Sequence, residues 1–235
     1  MIFFIKRFLQ KNVRGSIPYP EKMVKFLPWT FLMLGSCATA PQKREHKPLA
    51  TTHQKEWIPQ LFISHDNWLG MNVDFKPINE LRTQIEQISQ TPLISREEAH
   101  ITVITPPEYE KIKDKISMKD IESIAAEVDI QRSRWKPICV GSFTDSKSKS
   151  QVPSKTYYIV VESNSLLELR REVYRRYLAA GGNVSAFTPH HYFPHITIGY
   201  TEKDLYESDG AIKDTQTCFF DLVTPTGEKI TTWNQ

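Results

Sequence analysis

One tetrapeptide occurs twice in the chain: His100-Ile101-Thr102-Val103 returns, about a hundred residues later, as His195-Ile196-Thr197-Ile198. Both copies alternate a polar side chain with a branched aliphatic one, the period of a strand with one buried face. Side chains at i and i+2 share a face, so each His points the same way as its Thr while the aliphatics pack behind. The two polar groups stand about 6–7 Å apart along the strand. An imidazole transfers protons near neutral pH, and a hydroxyl holds an anionic oxygen. Two such strands facing one another would hold a phosphate between two His/Thr pairs. A fold that set the two copies face to face would make one site of them.

The rest of the pattern supplies the surrounding elements. Leu61 to Ser64 reads as a strand, and Pro77 to Ser89 as a helix with Ile78, Leu81, Ile85 and Ile88 on one face. His100 to Thr105 is a strand that Pro106-Pro107 stops, and Ser117 caps a helix running to Val128. Lys136–Phe143 and Thr156–Glu162 read as strands joined across a polar Ser/Lys loop. Ser165 with Glu168 reads as a capping box for a long helix that Gly181-Gly182 ends. His195–Tyr200 and Cys218–Val223 complete the strands. Helices interleaved with hairpin-joined strands predict an α+β fold with antiparallel sheets. No Gly-rich phosphate loop follows a strand, which argues against a nucleotide-binding Rossmann or P-loop fold.

Composition excludes several other classes. Apolar residues make up 40% and charged residues 24%, so the chain has enough apolar surface to fold. No run of about 18 apolar residues exists, which excludes a polytopic membrane protein. The formal charge of +3 suggests an anionic partner until it is located. Residues 1–36 hold six of the 30 Lys and Arg but one of the 27 Asp and Glu, leaving 24 against 26 in the body. The basic excess belongs to the N-terminal segment, and the body is nearly neutral.

That segment resembles a bacterial lipoprotein signal peptide. Lys22 and Lys25 precede an apolar run from Phe26 to Leu34, and Leu34-Gly35-Ser36-Cys37 resembles a lipobox. The resemblance implies that residues 1–36 are removed, that Cys37 is lipidated, and that Ala38 directs the product to the outer membrane, facing the periplasm. The start is open between Met1 and Met23. Residues 37–57 read as a polar, flexible tether and residues 58–235 as the folded domain. Cys139 and Cys218 would then lie in an oxidising compartment, either as one disulfide or as two separate buried thiols.

Other candidate contacts flank the motifs. Arg96 and Tyr157 are candidates for a phosphate or a base, His191 for the substrate, and Tyr192 for stacking a base. His190, His191 and His195 do not read as a metal site: Pro194 disfavours the required helix and no carboxylate supports them. Arg170, Arg171, Arg175 and Arg176 read as a solvated helix face carrying local ion pairs.

Two His-x-Thr-x strands at this separation resemble the 2H phosphoesterase superfamily, which includes LigT-like RNA ligases and 2′,3′-cyclic nucleotide phosphodiesterases. The run from Ser95 to Pro107 further resembles the Swiss-army-knife, RNA-repair-like branch. The resemblance implies a bilobal, pseudo-twofold pair of antiparallel sheets flanked by helices, with a central cleft. It implies phosphodiester chemistry without metal or cofactor, catalysed by His100 and His195 as general acid and base, with Thr102 and Thr197 on the phosphoryl oxygens. Nothing in the sequence says which histidine is which, or whether hydrolysis or ligation is the physiological direction. The expected partners are a nucleotide or RNA-end substrate and, through the lipid, a membrane; the expected state is a monomer. The alternative is a non-enzymatic outer-membrane lipoprotein that binds a phosphorylated ligand in the same cleft.

Overall fold

The computed structural model describes residues 48–50, 63–147, 153–223 and 226–229. The leader, Cys37 and most of the tether lie outside these residues. Within the span read as tether, Leu49–Ala50 forms a short strand, β1, and Leu49 is fully buried. An aliphatic side chain in a polar stretch gains by docking on the core, so Leu49 and Ala50 belong to the folded domain and not to a tether.

β2 (Ile63–His65), β3 (Trp68–Val73) and β4 (Ala99–Ile104) make an antiparallel sheet in that order. Helix α1 (Phe75–Ser89) connects β3 to β4, capped by Asp74, whose Oδ1 accepts the amide of Lys76 at 3.0 Å. Ile78, Leu81 and Ile85 of α1 are buried, as their spacing predicts, whereas Ile88, expected on the same face, is exposed near the helix end. α2 (Pro106–Ile112) and α3 (Met118–Glu127) follow. Ser117 caps α3 as expected, in a reciprocal box with Asp120. β5 (Lys136–Thr144) and β6 (Lys155–Glu162) form the expected hairpin, and α4 (Asn164–Ala179) leads to β7 (His195–Tyr200). β8 (Cys218–Phe220) completes a second antiparallel sheet ordered β7-β6-β5-β8, and β9 (Leu222–Val223) pairs in parallel with β1. The class is α+β.

Three local expectations are corrected. Pro106-Pro107 ends β4 but also opens α2: proline is tolerated in a first helical turn, and Thr105 with Glu108 builds a capping box around it. β3 was not expected because Gly70 and Asn72 interrupt its alternation. The cap of α4 is Ser163, whose Oγ accepts the amide of Leu166 at 3.2 Å, while Glu168 pairs with Arg171 on the surface.

β4 and β7, the two motif strands, are both edge strands, and they run beside each other. Ile94, ahead of β4, pairs antiparallel with Tyr200 at the end of β7 through N–H···O contacts of 2.8 and 3.0 Å. Gly199 permits this approach: a Cβ there would stand 3.0 Å from the Ile94 carbonyl and 3.1 Å from Leu93 Cβ. The helices brace the strands crosswise, α1 against β7 and α4 against β4. Ile101 and Val103 of β4, Ile196 and Ile198 of β7, and the apolar stripes of both helices form one continuous core. The two halves are thus related in plan but share their interior.

Cys139 and Cys218 are joined in a disulfide, with Cα atoms 5.7 Å apart, between neighbouring strands β5 and β8. Of the two alternatives open from the sequence, the bonded one is present.

Candidate active site

Alternation sets the site out. Ile101, Val103, Ile196 and Ile198 are buried, while His100, Thr102, His195 and Thr197 are partly exposed on the opposite faces. A depression where the two edges meet is lined by Ser95, Arg96, Glu98 and His100 from the first half and by Thr197 and Gly199 from the second. The first motif's imidazole and the second motif's hydroxyl therefore open into one space. Thr102 lies farther along the β4 face, opposite Gly70 of β3. Its Oγ makes no hydrogen bond among the described residues.

The two histidines differ in what holds them. His100 Nδ1 lies 2.8 Å from Glu98 Oε2, and the Trp68 ring covers it at a centroid distance of 4.7 Å. Gly70 makes room for that ring, since a Cβ there would stand 2.6 Å from the indole edge. His195 Nδ1 instead meets the backbone carbonyl of Phe193 at 2.8 Å. A carbonyl only accepts, so Nδ1 carries the hydrogen. His195 Nε2 lies 3.2 Å from Lys213 Nζ, and the Tyr158 ring stands edge-on to the imidazole. Burial and the Lys213 charge hold the His195 imidazole well below its usual range; the bond to Phe193 opposes this, and the charges of His100 and Arg96 add to it.

Asp204 ties these groups together. One oxygen lies 3.0 Å from the Arg96 guanidinium and accepts from Thr197 Oγ at 3.4 Å; the other lies 3.3 Å from Lys213 Nζ. Asp204 and Lys213 are both buried. Burial pushes the Lys213 ammonium down from its ordinary value, and Asp204 offsets part of that. Arg96 also bonds the Tyr206 hydroxyl while keeping about a third of its side chain exposed, 36%.

Of the flanking candidates, Arg96 alone lines the depression. Tyr157 is buried in the shared core, and its neighbour Tyr158 faces His195 instead. The register explains the exchange: Tyr158 lies opposite Thr197 and Val160 opposite His195, so even-numbered residues of β6 share the motif face. His191 is exposed, 2.5 Å from Glu207, outside the lining. Tyr192 is structural. Its hydroxyl donates to the Thr102 carbonyl at 3.2 Å, and its ring lies under the Arg170 guanidinium.

Arg170 corrects the expectation of a solvated arginine face. It is 1% exposed and pairs with Glu108 at 2.6 and 3.1 Å, and it also donates to the carbonyls of Val103, Thr188, Pro189 and His191. The polypeptide leading into β7 is fixed by these bonds. Arg171, Arg175 and Arg176 do make surface ion pairs, with Glu168, Glu172 and Glu127.

Sequence reasoning missed Glu98, Trp68, Tyr158, Asp204 and Lys213. Glu98 had a signal, since it shares the strand face of His100 two residues on. Asp204 and Lys213 sit in a polar stretch with no period to mark them.

No curated protein and no solved structure matches this chain. A family model does: residues 67–206, more than half of the chain, match the Swiss Army Knife, 2H phosphoesterase domain. The match runs from the residue before β3 to the tyrosine beside Arg96, so it contains both motif strands. The chain belongs to the 2H phosphoesterase superfamily, in its Swiss Army Knife branch, and is a phosphoesterase of the hydrolase type.

Proposed function

We propose that this phosphoesterase opens a 2′,3′-cyclic phosphate at a nucleotide or RNA end, with His100 and His195 as general acid and base. The observation that carries this reading is the meeting of two edge strands, which brings His100 of the first motif and Thr197 of the second to one depression, with His195 two residues before Thr197 on the same strand face. Opening the ring requires a base to take a proton from water and an acid to protonate the departing ribose oxygen. The Thr102 hydroxyl donates to a non-bridging oxygen as charge builds there, the Thr197 hydroxyl does so on exchanging its Asp204 partner for the phosphoryl oxygen, and Arg96 supplies a cation at the rim. These groups perform the chemistry without a metal.

Hydrolysis of 2′,3′-cyclic nucleotides in EDTA, measured beside His100→Ala and His195→Ala, tests the reading. Turnover unaffected by the chelator and reduced by about 10²–10⁴ in each variant is expected. A folded protein inert on cyclic and linear phosphodiesters would overturn it and leave the depression as a binding site for a phosphorylated ligand.

By its leader motif the enzyme is attached through Cys37 to the outer membrane and works as a monomer facing the periplasm. The Cys139–Cys218 bridge supports an oxidising compartment. Palmitate labelling of wild type against Cys37→Ala tests the anchor: label absent from the variant is expected, and equal labelling would refute it.

A further inference from the structure

We propose that Lys213, seated on Asp204, is a positioning residue that holds His195 as the neutral Nδ1–H imidazole, making His195 the proton acceptor and His100 the donor. The inference rests on the two-histidine reading above and resolves the symmetry that the repeated motif leaves open. Lys213 lies beyond the residues matched by the family model, so the match says nothing of it.

Geometry carries the assignment. An ammonium has donors and no acceptor, so a contact of 3.2 Å to His195 Nε2 requires a lone pair on that nitrogen. Nδ1 faces a carbonyl, which requires a hydrogen there. Both ends of the ring thus specify the same neutral tautomer. His100 has the opposite environment, with a carboxylate on Nδ1, which compensates the charge of an imidazolium whose Nε2–H is the one left to donate.

The cations around His195 agree. Lys213 stands on its far nitrogen, Arg96 and His100 approach from the segment before β4 and from β4 itself, and all act against a positive ring. From β6 comes Tyr158, and beside Lys213 lies Tyr206, both aromatic rings. The negative charge of Asp204 reaches His195 through Lys213, and that of Glu98 is engaged with His100.

Stability alone is a poor reason for the pair. A buried Lys–Asp pair is commonly no better than apolar residues of similar size, because desolvation offsets the attraction. Here the carboxylate does more, since its second oxygen also holds Thr197 and Arg96, which line the depression. When an anionic phosphoryl group enters, the ammonium is drawn from Nε2 toward it, and the lone pair is released to water. Water then gives a proton to His195 Nε2 as its oxygen bonds to phosphorus. The ring P–O bond breaks, and the leaving oxygen takes the proton from His100 Nε2.

The test uses the full chain. Nitrogen-15 histidine titration reads the tautomer and protonation of His195 without turnover, and the pH profile of kcat/KM on a 2′,3′-cyclic nucleotide reads the acid limb. In wild type, the Nδ1–H form is expected to persist through mildly acidic pH. Lys213→Met and Lys213→Gln, the latter keeping a donor without charge, are expected to move the His195 titration and the acid limb up by about one pH unit. Lys213→Arg is expected to restore the wild-type limb. A His195 titration unchanged in folded Lys213→Gln, or a wild-type His195 protonated on Nε2 at neutral pH, would overturn the inference. Absence of turnover in every protein would instead strike the two-histidine reading, while the titration still decides the role of Lys213.

Discussion

The two motif strands carry nearly the same four residues and are built into different surroundings. At β4, the histidine is held by a half-exposed carboxylate two residues earlier and covered by Trp68. At β7, it is held by a backbone carbonyl and a buried ammonium that comes from a segment outside the sheet. The shared tetrapeptide delivers two imidazoles, two hydroxyls and a buried aliphatic face. It does not deliver their charged neighbours. Those are Glu98 on one side and Lys213 and Asp204 on the other. A repeated motif therefore predicts a shared position more securely than a shared role.

The largest way to break this asymmetry is to remove its buried anchor. Asp204→Ala leaves Lys213 without its carboxylate and is expected to destabilise the protein by about 3–5 kcal/mol. Glu98→Ala, at a carboxylate 39% exposed, should cost no more than about 1 kcal/mol. Equal losses in thermal unfolding would mean that the two sides are alike after all. Acid sharpens the contrast next. A histidine kept neutral in the fold binds its proton more readily when unfolded, so the unfolded state gains protons as pH falls below the ordinary imidazole value of about 6.5. The His195 contribution is fully present above that pH and is lost as pH falls toward the folded value. Denaturant midpoints should decline through this window, and His195→Gln should flatten the decline. The smallest expected difference is between the two threonines. Thr197→Val removes a bond to Asp204 and should cost about 0.5–1.5 kcal/mol, whereas Thr102→Val, whose Oγ bonds nothing among the described residues, should stay within about 0.5 kcal/mol.

Much of this was readable from pattern. The motif strands, the β5–β6 hairpin and the apolar faces of α1 and α3 follow from periods of 2 and 3.6, which report burial directly. Residues placed by tertiary register were harder to see. Tyr157 and Tyr158 are indistinguishable until the pairing of β6 with β7 decides which one faces the motif. Arg170 carried a sign that was overlooked, because it falls on the stripe of Leu166, Leu169, Val173 and Tyr177 and so belongs to the buried side of α4. A charged residue on an apolar stripe asks for a buried partner, and Glu108 supplies it. Lys213 had no such sign. Its place is set by the chain's return to β8, where the Cys139–Cys218 bridge fastens the segment a few residues later.

The meeting of β4 and β7 has a consequence for solubility. Each strand is the unpaired margin of its sheet, and each is rich in branched residues suited to cross-strand pairing. An exposed margin of this kind is a template on which another chain can add a strand. Here the two margins shield one another, closed by the Ile94–Tyr200 bridge and by the close approach at Gly199. The place proposed for phosphate chemistry is also the seam that keeps two sticky edges away from other molecules. A side chain added at Gly199 would therefore threaten self-association along with the alignment of the motifs.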